Sequence, residues 1–282
     1  MSDPEDYDVV DYWSEVKLDI VREYLSVYSK IMNAQKNPPF SYVYIDGFSG
    51  PGVCISKATG EYIPGSPLNA LNVQPPFHEY YFIDMDGGRA ASLEQLCEGM
   101  DNVMVRTGDC NEILLKEIFP TIKYEDYRRG LCLLDPYKTN IRWEVVEAAG
   151  KSGCLEIFLN FTTMDINRNA LRTDPTKITD NSAERMTAFW GDNSWREEFY
   201  QEKQTLPIFE VEEVREASNL QVVNAYRGRL KELAGFKYVS ETMPMRNRNN
   251  SVIYYLLFAS QKQVPNNIVG HIFDKYKNRG AP

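Results

Sequence analysis

The sequence contains very little histidine and no closely spaced cysteines. His78 and His271 are the only histidines among 282 residues, and the five cysteines are scattered without a C-x-x-C pair. Zinc sites need clustered cysteine and histidine ligands, and disulfide frameworks need cysteines in a recognisable spacing. We therefore expect no bound metal and no disulfides, and we expect the cysteines to be free, buried thiols.

Long apolar runs and an excess of positive charge are also missing. No stretch approaches the roughly 18 apolar residues that a membrane-spanning helix needs. The acidic opening, residues 1–6, lacks the basic and apolar parts of a signal peptide. The formal net charge is −9, so nucleic acid would have to be bound through a local basic patch. We expect a cytoplasmic protein without a membrane segment.

Five short apolar runs alternate with helical patterns in the first part of the chain, and this alternation predicts a parallel sheet. Two further β-rich runs, at 236–239 and 252–259, are joined by a polar loop too short for a crossover helix. We therefore predict that these two strands are antiparallel neighbours. The five parallel strands are predicted at Tyr42–Ile45, Tyr80–Ile83, Val103–Val105, Leu131–Leu134 and Cys154–Leu159.

The strand count predicts an α/β fold with a seven-stranded, mostly parallel, doubly wound sheet. This count fits the Rossmann-like sheet of class I methyltransferases better than a six-stranded dinucleotide fold. We predict one domain, 1–282, with an N-terminal helical extension at 1–40 in which about the first ten residues are frayed. A helical insertion at 162–235, before the last two strands, is interpreted as a lid over the site.

The first strand runs directly into a glycine-rich loop, and glycine lets backbone approach a ligand closely. The glycine spacing is G-x-x-G-x-G, which does not match the dinucleotide fingerprint G-x-G-x-x-G. It resembles instead the D-x-F-x-G-x-G loop of methyltransferases that use S-adenosylmethionine. The alternative is a tight turn in a fold without a cofactor. The residues predicted to shape the methionine pocket are Asp46, Gly47, Phe48, Gly50 and Gly52.

Acids also follow the second and third strands, at the same predicted edge of the sheet. Asp84 is the candidate acceptor for the ribose hydroxyls, with Asp86 as a competitor. Asp109 and the backbone of Cys110 are predicted to meet the adenine ring. The alternatives are a helix N-cap at Asp84 and an ordinary Gly-Asp turn at Asp109.

The fourth strand ends at Asp135-Pro136-Tyr137, which resembles the D-P-P-Y element of amino-group methyltransferases. There the acid and a backbone carbonyl accept hydrogen bonds from the target amine, and the ring stacks on the base. This positions the nitrogen for in-line attack on the methyl group. The single proline departs from that element. The alternative is that Asp135 caps the following helix.

The C-terminal third is locally basic. These residues form either a phosphate-contacting face or solvated helix surface. They are Arg227, Arg229, Lys231, Lys237, Arg246 and Arg248.

Together, and in this order, the motifs resemble the three-Cys-motif partner (TcmP) family, most closely over 12–170. The matching segments are 44–52, 65–68, 82–84, 108–112, 134–137, 160–161 and Arg168. The resemblance implies a class I methyltransferase-like fold, S-adenosylmethionine as cofactor, and a partner protein that carries three cysteines. Lys138 stands where the family tends to have glycine.

Two functions are therefore open. One is an S-adenosylmethionine-dependent methyltransferase acting on a nucleic acid or a nucleobase-like amino group, with Asp135, Pro136 and Tyr137 holding the acceptor. The other is a catalytically silent partner subunit that keeps the cofactor-binding fold. A nuclease is disfavoured because no cluster of metal-binding side chains appears on one element.

Overall fold

A central sheet with helices on both faces organises the computed structural model, which describes residues 7–172, 174–203, 212–215, 218–277 and 279. The strands are β1 Asp8–Val10, β2 Ser41–Asp46, β3 Val53–Ser56, β4 Tyr62–Pro64, β5 Glu79–Asp84, β6 Val103–Thr107, β7 Arg128–Leu134, β8 Leu155–Phe161, β9 Tyr200–Lys203, β10 Glu212–Arg215, β11 Tyr238–Val239, β12 Met243–Arg246 and β13 Val252–Ser260. The α-helices are α1 Tyr12–Ala34, α2 Ser66–Leu71, α3 Gly87–Leu96, α4 Cys110–Ile113, α5 Trp143–Ser152, α6 Thr163–Asn169, α7 Asp180–Trp190, α8 Trp195–Phe199, α9 Asn219–Glu232 and α10 Gln263–Tyr276.

The central sheet has the order β11-β13-β8-β7-β2-β5-β6, and β12 also pairs with β13. The five strands from β8 to β6 are parallel, whereas β13 runs antiparallel to β8. β11 and β12 pair with successive parts of β13, so together they fill one edge position. Seven positions with one reversed strand next to the edge is the class I methyltransferase arrangement. The predicted fold is confirmed, although β12 was predicted to be loop.

Side chains of the parallel strands alternate between two apolar layers, as expected for a sheet buried on both faces. In β2, Tyr42 and Tyr44 pack with α1, α2, α3 and α10 on one face. Val43 and Ile45 pack with α4 to α9 on the other face. Because the five parallel strands share one direction, their carboxyl ends meet at one edge, which brings the predicted strand-end acids together.

The N-terminal residues are ordered where fraying was predicted, so that prediction was wrong for residues 7–10. β1 pairs in parallel with β3, which forms a hairpin with β4. The carboxylate of Asp8 lies 2.7 Å from a guanidinium nitrogen of Arg89 on α3. This strand pairing and the ion pair fix the position of β1. Neither interaction can be recognised from the periodicity of the sequence. Residues 1–6 lie outside the described part of the chain.

The described residues of 162–235 form α6 to α9 and the strand pair β9–β10, and the helices pack on one face of the sheet. The rings of Phe189 and Tyr226 stack with centroids 4.7 Å apart, and Tyr226 also meets Trp143 at 5.7 Å. The segment therefore contributes to the core, and its role as a lid stays a prediction. Residues 173, 204–211 and 216–217 of this range lie outside the description.

The described residues include no helix that is long and apolar enough to cross a membrane. All five cysteines are free, and four of them are buried, Cys54 being partly exposed.

A buried carboxyl group sits in the middle of the core. Glu156 on β8 is 9% exposed and accepts a hydrogen bond from the hydroxyl of Tyr24 on α1. Burial raises the pKa of Glu156 from 4.5 to about 7, although the bond from Tyr24 opposes this shift. The folded protein therefore retains a proton that the unfolded chain releases at lower pH.

We expect Glu156→Gln to stabilise the protein at about pH 8 relative to wild type, and much less at about pH 5. As the pH rises from about 5 to about 8, the unfolded chain loses the Glu156 proton more readily than the folded protein does. The free energy of unfolding of wild type therefore falls by about 2 kcal/mol. Urea unfolding at both pH values measures this, with the exposed Glu98→Gln as the control. Equal effects of Glu156→Gln at the two pH values would contradict the assignment.

Candidate functional site

A cleft of about 460 Å³ opens at the carboxyl ends of β2, β5 and β7. The glycine loop and the ends of β5 and β7 form its floor, with Gly50, Asp84 and Asp135 as lining residues. The N-terminal segment from Asp8 to Leu18 forms one wall. The cleft thus lies where ligands bind in open α/β sheets, outside the carboxyl ends of the strands.

Asp46 lies fully buried beneath the glycine loop and does not line the cleft. Its carboxylate accepts from the backbone N–H of Phe48 at 3.2 Å and from the hydroxyl of Tyr44 at 3.3 Å. Burial raises the pKa of Asp46 to about 6, while bonds from Ser66 and Phe48 oppose this shift. Asp46 therefore fixes the shape of the loop from below.

A serine followed by proline at the first helical position is a typical helix start, so the sequence predicts Ser66 as the N-cap of the helix after the loop. That prediction is wrong. Gly65 occupies the cap position and Ser66 is the first residue of α2. The Ser66 side chain hydrogen-bonds the Asp46 carboxylate. This contact ties the start of α2 to the end of β2.

Gly50 connects the loop to the predicted ribose acid. Its φ is +62°, a left-handed conformation that glycine adopts without strain. In this conformation its N–H donates to Asp84 Oδ2 at 2.8 Å. A Cβ atom at Gly50 would lie 3.3 Å from the Asp8 carboxylate, so the N-terminal segment also passes closely over the loop.

The two competing acids after β5 have different roles in the structure. Asp84 lines the cleft, and its Oδ1 accepts from the backbone N–H of Asp86 at 2.8 Å. Asp86 is the N-cap of α3 and accepts from Gly88 N at 2.8 Å and Arg89 N at 3.1 Å. Asp84 is thus the acid available to a ligand. The neighbouring Met85 was not predicted as a site residue, but it lines the cleft with 68% of its surface exposed.

Asp109 and Cys110 lie beside the loop but not among the residues that line the cleft. Asp109 caps α4 by accepting from Asn111 N at 2.9 Å. Cys110 is buried, and a Cβ atom at Gly47 would lie 3.9 Å from its own Cβ. Their contact with adenine stays a prediction, as does a direct contact for Gly47 and Gly52, which are buried in the loop.

Asp135 does not cap the following helix, whose N-cap is Arg142. Its Oδ2 pairs with the ammonium of Lys17 from α1, and its Oδ1 accepts from Asn160 Nδ2 at 2.9 Å. Burial alone would lower the pKa of Lys17, but the nearby Asp135 outweighs it, so the pKa is raised and the ammonium stays charged. Asp135 is therefore held in one orientation from two sides.

Lys17 and Asn160 were not predicted as site residues. Lys17 is 7% exposed and lies on the apolar stripe of α1, directly after Val16 and three residues before Ile20. A lysine within an apolar stripe is a signal that a buried counter-charge exists elsewhere. Asn160 gives a similar signal, because a polar amide near the end of the wholly buried strand β8 indicates a buried hydrogen-bond partner.

The other two residues of the acceptor element differ in exposure, since Pro136 is buried and Tyr137 is exposed. Tyr137 is 75% exposed at the cleft mouth, next to Pro136 and Lys138. The side-chain oxygen of Asn160 is buried and has no hydrogen-bond partner among the described residues. Because a buried, unpaired acceptor is costly, this oxygen is suited to a donor group on a bound ligand.

Comparisons with known proteins find only distant likenesses. No family model matches the sequence, and no curated protein sequence matches it. Protein LPL1258 from Legionella pneumophila is 13% identical with a TM-score of 0.47, over 96% of this chain and 94% of that one. The DszA carbon methyltransferase is 13% identical with a TM-score of 0.46, over 88% of this chain and 54% of that one.

A third solved structure is magnesium protoporphyrin IX methyltransferase from Synechocystis with bound S-adenosylmethionine. It is 14% identical with a TM-score of 0.32, over 73% of this chain and 85% of that one. Likenesses at this level carry no argument about function. The fold therefore rests on the strand order, and the resemblance to the three-Cys-motif partner family stays a prediction.

We expect Lys17→Met to lower the free energy of unfolding by about 3 kcal/mol, because it leaves the largely buried Asp135 carboxylate without its counter-charge. Adding Asp135→Asn should recover at least half of that loss. Urea denaturation of the single and double variants measures the coupling. Lys116→Met breaks an exposed ion pair and is the control. A cost for Lys17→Met no larger than that of Lys116→Met would contradict a buried pair.

Proposed function

We propose that this protein is an S-adenosylmethionine-dependent methyltransferase that acts on an amino group of a nucleic acid or a nucleobase-like compound. The observation that carries the proposal is the Asp84–Gly50 hydrogen bond at the edge of the cleft. It places a carboxylate at the end of the second parallel strand in contact with the glycine loop at the end of the first. An adenosyl group bound across the two strands would meet the acid and the loop together.

The cleft residues suit the chemistry of that cofactor. Asp84 uses one lone pair on each oxygen for a backbone N–H, which leaves the remaining pairs free to accept from ribose hydroxyls. Exposed Met85 offers an apolar surface to a planar base. The loop 48–51 would contact the methionine moiety, with Asp46 supporting it from below. The cofactor supplies an electrophilic methyl group on a sulfonium.

The acceptor would be positioned by Asp135, Pro136 and Tyr137. Lys17 and Asn160 orient the Asp135 carboxylate, which keeps spare lone pairs for an amine N–H. The Pro136 carbonyl is a second acceptor, and exposed Tyr137 offers a ring for stacking. Accepting both amine protons would turn the nitrogen lone pair toward the methyl group, so catalysis would come mainly from positioning.

One observation favours a second candidate, the catalytically silent subunit. Both oxygens of Asp135 already have protein partners, so a target amine has to share them with Lys17 and Asn160. In that case the cleft would bind the cofactor without transferring its methyl group. The protein would then serve a partner such as one carrying a three-cysteine motif.

Cofactor binding is tested by replacing Asp84 with Asn and titrating S-adenosylmethionine in a calorimeter. We expect wild type to bind and Asp84→Asn to bind at least about tenfold more weakly, because hydrogen bonds to a charged acceptor are lost. Asp86→Asn is the matched control, since it changes a helix cap two residues away. No binding by wild type, or equal affinities for all three proteins, would refute the pocket.

Methyl transfer is tested with tritiated S-adenosylmethionine and a mixture of single-stranded oligonucleotides. We expect Tyr137→Ala to reduce transfer about tenfold or more, because stacking on the acceptor base is lost. Affinity for the cofactor should stay within about threefold of wild type. Cofactor binding without any transfer by wild type would favour the silent subunit instead.

A further inference from the structure

A basic groove adjoins the cleft on the side of the N-terminal helix. It lies between the start of α1, the turn from β12 to β13 and the end of α10. Trp13 lines both the cleft and the groove. A smaller pocket beside Lys57 shares Asp11 with the cleft and Arg248 with the groove. The two depressions therefore form one continuous surface.

Two arginines of this groove differ from Arg227 and Arg229, the other two arginines of the basic cluster. Arg227 pairs with Glu241 at 2.9 Å, and Arg229 pairs with Asp192 at 2.8 Å. Arg246 and Arg248 are exposed, and neither forms an ion pair within the described part of the chain. Lys231 and Lys237 are exposed as well, but neither lines the groove. Arg246 and Arg248 are therefore the members of the basic cluster whose charge is available in the groove.

The turn that carries these arginines has a defined shape. The side-chain oxygen of Asn247 accepts from Asn249 N at 3.0 Å and Ser251 N at 2.9 Å. Arg246 Nη1 donates to the Asn250 carbonyl at 2.9 Å. The side chains of Arg246 and Arg248 are therefore anchored on a turn whose backbone is internally hydrogen-bonded, so little order has to be gained on binding.

Aromatic rings lie next to the positive charge. Tyr12, Trp13 and Tyr276 line the groove and are half-buried, so each presents part of its ring. Asn247 and Asn250 add amide groups. Proteins that bind single strands combine a positive groove for phosphates with rings for the bases. An acidic peptide would need the charges but would leave the rings and amides without a matching partner.

We propose that this groove binds the sugar-phosphate backbone of a single-stranded nucleic acid and leads one of its bases past Trp13 to Tyr137. The proposal rests on the proposed methyltransferase function, whose acceptor would be that base. Arg246 and Arg248 contact phosphates. A single strand suits the site because its bases are free to enter the cleft, whereas a duplex would first have to be opened.

The test is fluorescence anisotropy with the full chain and a labelled mixed-sequence oligonucleotide of about twelve nucleotides, at low and moderate salt. We expect salt-dependent binding by wild type. The double variant Arg246→Gln/Arg248→Gln should bind at least about tenfold more weakly. The slope of log binding constant against log salt concentration should become shallower by about 1.4, the value for two phosphate contacts on a single strand. The control, Arg106→Gln/Lys116→Gln, removes two exposed charges near the opposite sheet edge.

Further arms separate the alternatives. The duplex of the same sequence and poly-glutamate should each compete at least about tenfold less well than the unlabelled strand. Equal competition by either would overturn the proposal, as would wild-type affinity in Arg246→Gln/Arg248→Gln or absence of oligonucleotide binding. Calorimetry with S-adenosylmethionine on the same samples distinguishes failure of the groove from failure of the cofactor site.

Discussion

The buried contact between Lys17 and Asp135 is the interaction on which the candidate site depends. It joins the N-terminal helix to the end of the fourth parallel strand, across 118 positions of sequence. A buried ion pair stabilises a protein only when the geometry satisfies its charges, and removal of one partner is costly. Here Asn160 completes the arrangement around the carboxylate. The position of α1 and the orientation of the predicted acceptor acid are therefore set together.

A second set of contacts explains how the cleft keeps its form. Asp46 supports the glycine loop from below by accepting a hydrogen bond from it. The N–H of Gly50 in the same loop donates to the Asp84 carboxylate. Asp8 then closes over Gly50 and pairs with Arg89 on α3. The ends of β2 and β5, the start of α3 and the N-terminal segment are thus linked by charged or polar side chains with defined partners. Such preorganisation lowers the cost of ordering a site around a ligand.

Much of the fold is predictable from the sequence because buried parallel strands appear as apolar runs, such as Leu131–Leu134. The closing antiparallel pair follows from the length of its connection. The short strand β1 could not be predicted, since it pairs with β3, which is distant in sequence. β12 forms a hairpin with the next strand, β13, but Pro244 in its middle argues against a strand at the level of the sequence. In the site, the acids that follow strands could be predicted from the sequence. Lys17 and Asn160 could not, because only the fold brings them next to Asp135. Spacing alone likewise does not show which of Asp84 and Asp86 lines the cleft.

A crystal structure of the protein grown with S-adenosylhomocysteine tests the proposed cofactor site most directly. The proposed site predicts density in the cleft, with the ribose hydroxyls on the Asp84 carboxylate, the adenine ring against Met85 and the sulfur directed toward Asp135 and Tyr137. Density for the ligand at another place, or an empty cleft at saturating ligand with the Asp84–Gly50 contact intact, would contradict it.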